Sequence, residues 1–295
     1  MDVRRLGYFL AVVDHGGFGR AAEHLLIAQP SLSQAVAGLE RDLGTRLFHR
    51  VGRGVVLSDA GRRLVGPARR VLRDVEAARA VVDSVNGLQR GRVHLVTMPS
   101  PGIEPLTTLV ASFRGRHPAL MVDVEAAFTP EEVVDSVRSG RTELGLLGSP
   151  GDPRSGELSL LRLERQPLVL LSPPGTDLPP DRVHREDLNG RPMVVSQPGS
   201  LMRSLVDDLL AGGTLVSIAA QVAHRTSLLP LVLAGVGHAV VPSSWTPLAL
   251  RSGAQVRAIE PDAHLEVALV SRAEDLTPAA RAFVAVARDH ADLHP

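Results

Sequence analysis

Three short amphipathic segments followed by a basic hairpin occupy the start of the chain, and this order leaves few folds open. Apolar residues at helical spacing predict three helices, over residues 6–13, 20–26 and 31–42. A hairpin at residues 51–57 then carries Arg53 between two glycines, where its charge is exposed. The order helix, helix, helix, ribbon predicts a winged helix-turn-helix, which docks on duplex DNA.

The charge of the chain is divided unevenly along its length. The formal net charge is zero, yet residues 1–92 carry fifteen arginines against nine acidic residues, and the rest of the chain carries the opposite imbalance. Every basic residue is arginine, a side chain that suits bidentate contacts to phosphate and to guanine. A basic end on an acidic body favours contact between the N-terminal part and a polyanion.

Motifs along this segment carry a family resemblance. They are Phe9-Leu10-Ala11-Val12-Val13, Gly17-Phe18-Gly19-Arg20-Ala21-Ala22, Gln29-Pro30-Ser31-Leu32-Ser33-Gln34, Leu39-Glu40-Arg41-Asp42-Leu43-Gly44, Leu47-Phe48-His49-Arg50 and Leu57-Ser58-Asp59-Ala60-Gly61. Together they resemble the LysR-type transcriptional regulators. The resemblance implies a DNA-binding domain over residues 1–60. The implied contacts to bases and the neighbouring backbone come from Gln29, Pro30, Ser31, Ser33 and Gln34, while Arg50 meets phosphate and Arg53 enters the minor groove.

Two features leave the details of this DNA contact open. Pro30 and Ser33 are also ordinary residues at the start of a helix, without any role in DNA binding. The family usually has a hydroxyl residue where Gly17 or Gly19 stands, and often an arginine where Gln34 stands. Base preference therefore does not follow from the motif. Ser33 and Gln34, with Gly38, form the side of the third helix that we expect to approach base edges.

A heptad seam follows the hairpin and predicts a long linker helix over residues 61–87. Its inward positions are separated by four and three residues in turn, and they are Leu64, Ala68, Val71, Val75, Ala78, Val82 and Val85. So narrow a stripe favours a partner helix, and hence a dimer. Packing of the helix on its own domain is the alternative. Pro67 predicts either a kink or an effective start of the helix there.

Residues 88–295 alternate short apolar runs with helical stretches, which predicts an α/β fold with largely parallel sheets. The resemblance implies an effector-binding domain of two α/β subdomains, similar to a periplasmic solute-binding protein. We expect the first subdomain over about residues 92–160 and 267–295, and the second over about residues 161–266.

Ligands of open α/β sheets bind beyond the carboxyl ends of strands. Polar residues at such ends or in the helix starts that follow them are candidate effector contacts, namely Ser100, Ser149, Ser196, Ser200, Arg203 and Thr226. Free N–H groups at helix starts favour an anion, so a small carboxylate is the expected class of effector. The alternative is that these hydroxyl residues only cap helices.

The sequence disfavours several other classes of protein. It contains no cysteine, no apolar run of membrane-spanning length and no signal-peptide pattern, so we expect a cytoplasmic protein without membrane contact. The nucleophile-elbow, P-loop and zinc-protease motifs are absent, so we expect neither an enzyme nor a metal or cofactor. The predicted partners are double-stranded DNA with an interrupted palindrome, a small-molecule effector and further copies of the chain, as a dimer or tetramer. A small-molecule binding protein whose N-terminal segment only dimerises is the alternative function.

Overall fold

The computed structural model describes residues 2–52, 54–85, 91–151, 156–198, 201–211, 215–260, 262–273 and 276–293. The N-terminal domain consists of three helices and a two-stranded ribbon: α1 (Val3–Asp14), α2 (Phe18–His24), α3 (Gln29–Leu43), β1 (Phe48–Val51) and β2 (Gly54–Leu57). The two strands are antiparallel, and Val51 pairs with Gly54. This order confirms the predicted winged helix-turn-helix.

Aromatic rings join the ribbon to the helices of this domain. The Phe48 ring lies 5.5 Å from the Phe9 ring of α1 and 5.6 Å from the Phe18 ring of α2, measured between centroids. Leu32 and Leu39 of α3 are fully buried in the same cluster. The ribbon is therefore anchored to the body of the domain by large apolar contacts.

The junction between the ribbon and the next helix is tightly packed. The Ser58 hydroxyl accepts a hydrogen bond of 3.0 Å from the Gly61 N–H and donates one of 2.7 Å to the Arg46 carbonyl. A Cβ atom added at Gly61 would overlap the carbonyl oxygen of Leu47 and lie 2.9 Å from a Leu57 methyl group. The glycine thus allows the start of the helix to touch the ribbon.

The linker helix α4 spans Asp59–Val85 and runs through Pro67 without a break. It therefore begins before Pro67, not at it. Leu64, Ala68 and Val71 of the heptad seam pack into the core of the N-terminal domain. The first half of the seam is thus occupied within its own chain, as the alternative interpretation proposed, and a partner helix remains a prediction for the second half.

Arg73 connects α4 to the C-terminal body of the same chain. Its side chain is buried and donates to the carbonyl of Gly140. Burial, followed by the positive charge of Arg272, lowers the pKa of Arg73 to about 10, while Glu143 acts in the opposite direction. The linker helix is therefore docked on the body through a desolvated guanidinium.

The body contains ten strands and six helices within the described ranges. The strands are β3 (Gly91–Thr97), β4 (Leu120–Ala126), β5 (Leu144–Ser149), β6 (Ser159–Ser172), β7 (Arg182–His184), β8 (Pro192–Ser196), β9 (Ser217–Val222), β10 (Ala239–Pro242), β11 (Gln255–Glu260) and β12 (His264–Ser271). The helices are α5 (Leu106–Arg116), α6 (Pro130–Arg138), α7 (Leu201–Leu210), α8 (Leu228–Leu233), α9 (Thr246–Arg251) and α10 (Pro278–Leu293). None of the helices in the described part of the chain is long and apolar enough to cross a membrane.

Two subdomains share the long strand β6. In subdomain I the strand order is β4, β3, β5, β12 and the first half of β6, where Pro167 is the last residue paired with β12. In subdomain II the second half of β6, from Leu168 onward, pairs with β10 and β11. Strands β8 and β9 form a further parallel pair in subdomain II. The strands that pair with β6 thus change after Pro167, a few residues beyond the boundary expected at residue 160.

The sheets are mixed, not largely parallel as expected. Strands β3, β4 and β5 are parallel, but β6 and β12 are antiparallel to each other because they carry the chain out of subdomain I and back into it. Apolar runs predict eight strands in the body, over residues 93–97, 121–125, 143–147, 168–172, 193–196, 216–219, 239–241 and 267–271, and five helices, over residues 103–114, 130–139, 201–211, 227–234 and 278–290. This pattern misses β7, β11, helix α9 and the first half of β6. That half contains Arg162, Glu164 and Arg165, and these charged residues conceal a strand in the sequence pattern.

Replacing Gly61 by Ala is expected to destabilise the N-terminal domain by about 1–3 kcal/mol, because the new methyl group has no space beside the Leu47 backbone. Chemical denaturation followed by circular dichroism measures this change. Gly115→Ala in the exposed face of α5 is the matched control. Nothing lies within 4 Å of its Cβ position, and helix propensity predicts a gain of about 1 kcal/mol. Equal stability of the two variants would contradict the packing described at Gly61.

Candidate functional sites

The first turns of α3 present a polar surface to solvent. Gln29, Pro30, Ser31 and Gln34 are exposed, and Ser33 is half-buried. The opposite side of the helix, with Leu32, Val36 and Leu39, is buried in the domain core. All five predicted contact residues of α3 therefore lie on the first two turns of the helix, four of them fully accessible to a ligand as large as DNA.

Gly38 does not belong to this surface, contrary to the expectation from sequence. It is buried, and a Cβ atom added there would lie 3.2 Å from the guanidinium of Arg5. Arg5 in turn forms an ion pair of 2.9 Å with Asp42. The absence of a side chain at Gly38 thus makes space for an arginine that ties α1 to α3.

The turn before α3 has an unusual backbone. Leu26 has a φ of 55°, in the left-handed region, and 92% of its surface is exposed. Ala28 occupies the N-cap position of α3 and offers no side-chain acceptor to the first turn.

Gly17, at the N-cap of α2, has a φ of 152°, which a residue with a Cβ adopts only under strain. Gly17 thus has a backbone that favours glycine and no side chain that could cap α2.

The wing is held against α3 by Glu40. Its carboxylate accepts hydrogen bonds from the N–H groups of Leu47 (2.7 Å) and Phe48 (3.2 Å). The backbone of Arg50 lies in β1, while its side chain is outside the described part. Arg53, predicted at the tip of the wing, also lies outside the described residues.

Two of the predicted effector residues meet one edge of the sheet in subdomain I. Strands β3 and β5 are parallel neighbours, so their carboxyl ends lie side by side. Ser100 follows β3 and is only 2% exposed, and Ser149 is the buried last residue of β5. The Ser149 hydroxyl donates to the Gly151 carbonyl.

Subdomain II presents a similar edge, formed by the parallel strands β8 and β9. Ser196 ends β8, and its buried hydroxyl has no hydrogen-bond partner among the described residues. Arg203 forms an ion pair of 2.7 Å with Asp207 and donates to the Ser196 carbonyl at 3.3 Å. Thr226 is exposed beyond the end of β9, and Ser200 lies outside the described part of the chain.

Arg225 joins the two edges, and the sequence analysis did not select it. It lies in a short turn beyond β9, and its guanidinium donates to the Ser100 hydroxyl in subdomain I. Burial alone lowers the pKa of Arg225 to about 10. The arrangement thus brings the carboxyl ends of strands from both subdomains together around a cation. Because desolvation is a property of the folded chain, the only sequence signal was the position of Arg225 next to Thr226.

The comparisons with known proteins cover both parts of the chain. Residues 3–62 match the family described as "Bacterial regulatory helix-turn-helix protein, lysR family". Residues 86–292 match the family described as "LysR substrate binding domain". The chain belongs to the LysR family of transcriptional regulators.

Relatives of this LysR-type regulator are similar over their whole length. The HTH-type transcriptional regulator IlvR of Caulobacter vibrioides is 30% identical over 284 residues, which are 94% of each chain. The regulator YnfL of Escherichia coli is 29% identical over 290 residues, covering 96% of both chains. The RuBisCO operon transcriptional regulator of Allochromatium vinosum is 28% identical, covering 96% of this chain and 94% of the relative.

Solved structures share the fold of this LysR-type regulator. A full-length OxyR variant from Pseudomonas aeruginosa gives a TM-score of 0.72 at 23% identity and covers 100% of this chain and 95% of its own. Full-length CbnR in complex with its target DNA gives a TM-score of 0.66 at 23% identity and covers 99% and 100% of the two chains. Both are full-length proteins, so the likeness extends through the N-terminal domain and the body.

Replacing Ala28 by Ser is expected to stabilise the start of α3 in this LysR-type regulator. The backbone at position 28 is extended, so a serine hydroxyl can share the N–H of Ser31, which also donates to the Ala28 carbonyl at 3.0 Å, a gain of about 1 kcal/mol. Hydrogen–deuterium exchange of a peptide covering residues 29–43 measures the protection. Ala37→Ser, in the exposed middle of the same helix, is the control and is expected to lower protection slightly. Equal effects of the two serines would reject the N-cap assignment.

Proposed function

We propose that this LysR-type regulator binds specific DNA sequences as a homo-oligomer, under the control of a small-molecule effector bound between its two α/β subdomains. The observation that carries the proposal is the exposed polar surface on the first turns of α3. An α-helix fits the major groove of B-DNA, where side-chain amides and hydroxyls read base edges. In this proposal Gln29, Pro30, Ser31, Ser33 and Gln34 do so, with Arg50 on phosphate and Arg53 in the minor groove.

A pair of N-terminal domains suits this mode of DNA recognition. Two recognition helices about 34 Å apart read half-sites separated by one turn of the duplex, as in an interrupted palindrome. The second half of α4, from Val75 to Val85, continues the heptad seam beyond the part that packs on its own domain. We infer that this half packs against α4 of a second copy, giving a dimer that can assemble further into a tetramer.

The effector site in this proposal lies between the carboxyl ends of β3, β5, β8 and β9. Ser100, Ser149 and Ser196 lie at these ends, and Ser200, Arg203 and Thr226 follow in the next segments of subdomain II. Ligands of α/β sheets commonly bind at such ends. Effector binding would favour one arrangement of the subdomains by its differential affinity for that arrangement.

The regulator acts without catalysis in this proposal. Every relative named above is a transcriptional regulator. With DNA as its partner, the protein works in the cytoplasm in this proposal. Among the described residues, no group of three or more His, Asp or Glu is placed to hold a metal ion. The proposed partners are therefore DNA, a small molecule and other copies of the chain.

Fluorescence anisotropy with DNA from upstream of the chain's own gene tests DNA binding. We expect affinity to fall by about a hundredfold or more between roughly 50 and 200 mM salt, because Arg contacts to phosphate release counterions. Absence of binding at low salt, together with intact binding of a small molecule, would favour the alternative in which the N-terminal segment only dimerises.

Gln34→Ala separates base recognition from general attraction to DNA. We expect about a tenfold or greater loss of affinity for the specific site and little change for unrelated DNA, since an amide pair to a base contributes about 1–3 kcal/mol. Thr108→Ala on the exposed face of α5 is the control and should leave both affinities unchanged. An equal loss on both DNAs would remove Gln34 from the set of specificity residues.

A further inference from the structure

Arg225 differs from Arg203 and Arg182 in its surroundings. Arg203 pairs with Asp207 at 2.7 Å, and Arg182 lies 2.8 Å from Asp262. Arg225 has no ion pair within the described part of the chain, and the Ser100 hydroxyl accepts its hydrogen bond. Its positive charge therefore faces a neutral partner.

Such an arrangement is unfavourable without a ligand. Arg225 is half-buried, and an anion compensates the water that its guanidinium loses far better than a neutral hydroxyl does. Burial, without any compensating acidic neighbour, lowers the pKa of Arg225 to about 10. The guanidinium remains charged at neutral pH at this value, so the unbalanced charge persists in the folded protein.

The position of Arg225 also fits a ligand. It lies where the carboxyl ends of β8 and β9 meet the Ser100 segment of subdomain I. On the neighbouring strand end, the Ser196 hydroxyl is buried and has no partner among the described residues. One unbalanced cation and one unsatisfied hydroxyl thus occur at the same edge of subdomain II.

We propose that Arg225 anchors the carboxylate of the effector, which enters between Arg225 and Ser100. The carboxylate replaces the Ser100 hydroxyl as acceptor of the guanidinium, and this hydroxyl then donates to the carboxylate. Charge-assisted hydrogen bonds of this kind are roughly twice as strong as neutral ones. The inference deepens the proposed function and rests on it, since it names the ligand class and the residue that recognises it.

Thermal unfolding of the full chain with acids and their matched amides tests the proposal. The probes are acetate, pyruvate and benzoate against acetamide, pyruvamide and benzamide, with sodium chloride added to equalise ionic strength. We expect at least one acid to raise the Tm of the wild-type chain while its amide does not. Sulfate and phosphate form a separate arm, and stabilisation by these ions alone would overturn the carboxylate assignment.

Variants then assign the effect to Arg225. For the acid that stabilises the wild type, titration should show at least about tenfold weaker binding by Arg225→Gln and a partial loss by Arg225→Lys, which keeps the charge but not the forked geometry. Arg138→Gln removes a surface arginine paired with Asp135 and is the matched control, with unchanged binding expected. Circular dichroism checks that each variant is folded, and Arg225→Lys with Ser100→Ala provides the test if Arg225→Gln is not.

Two further results would also overturn the inference. In the first, no acid in the panel raises the Tm of the wild type more than it raises the Tm of the Arg225 variants. In the second, each amide raises the Tm of the wild type as much as its acid does. DNA binding by the ligand-free wild type is measured in parallel. Loss of DNA binding there speaks against the proposed function, whereas intact DNA binding with acid effects independent of Arg225 speaks against this inference alone.

Discussion

The backbone pairing of β6 with two different sets of strands is the constraint on which the body depends. The first half of β6 belongs to the sheet of subdomain I through β12, and the second half belongs to subdomain II through β10 and β11. Since no loop separates the halves, the two sheets share a hydrogen-bonded backbone. The two subdomains are thus joined directly through β6, and a side chain from each meets across the cleft, where Arg225 donates to Ser100.

The N-terminal domain depends on close approach at its own junctions. Gly61 has no side chain because the Leu47 carbonyl occupies that space, and Gly38 leaves room for the Arg5 guanidinium beside α3. These contacts hold the ribbon, α1 and α4 in a fixed relation to α3. The polar surface of α3 is therefore presented on a rigid support, which is what base recognition requires.

The sequence was most informative where backbone geometry restricts residue type. The helix and ribbon order followed from apolar spacing and glycines, and its motifs identified the family. Prediction was weaker where contacts between distant parts of the chain determine the structure. Charged residues on β6 concealed half of that strand, Gly38 was assigned to the wrong face of α3, and Arg225 was missed because its desolvation arises only in the fold. The first half of the linker seam resembled a dimer interface, yet it packs on its own domain.

The contact between Arg73 and Gly140 determines which subdomain holds the linker helix. Gly140 follows α6 in subdomain I. Within one chain, the linker helix is therefore attached to subdomain I, the subdomain that also contains Ser100. This contact does not involve subdomain II, which carries Arg225. A displacement of subdomain II alone would therefore leave the contact between Arg73 and Gly140 of its own chain unchanged.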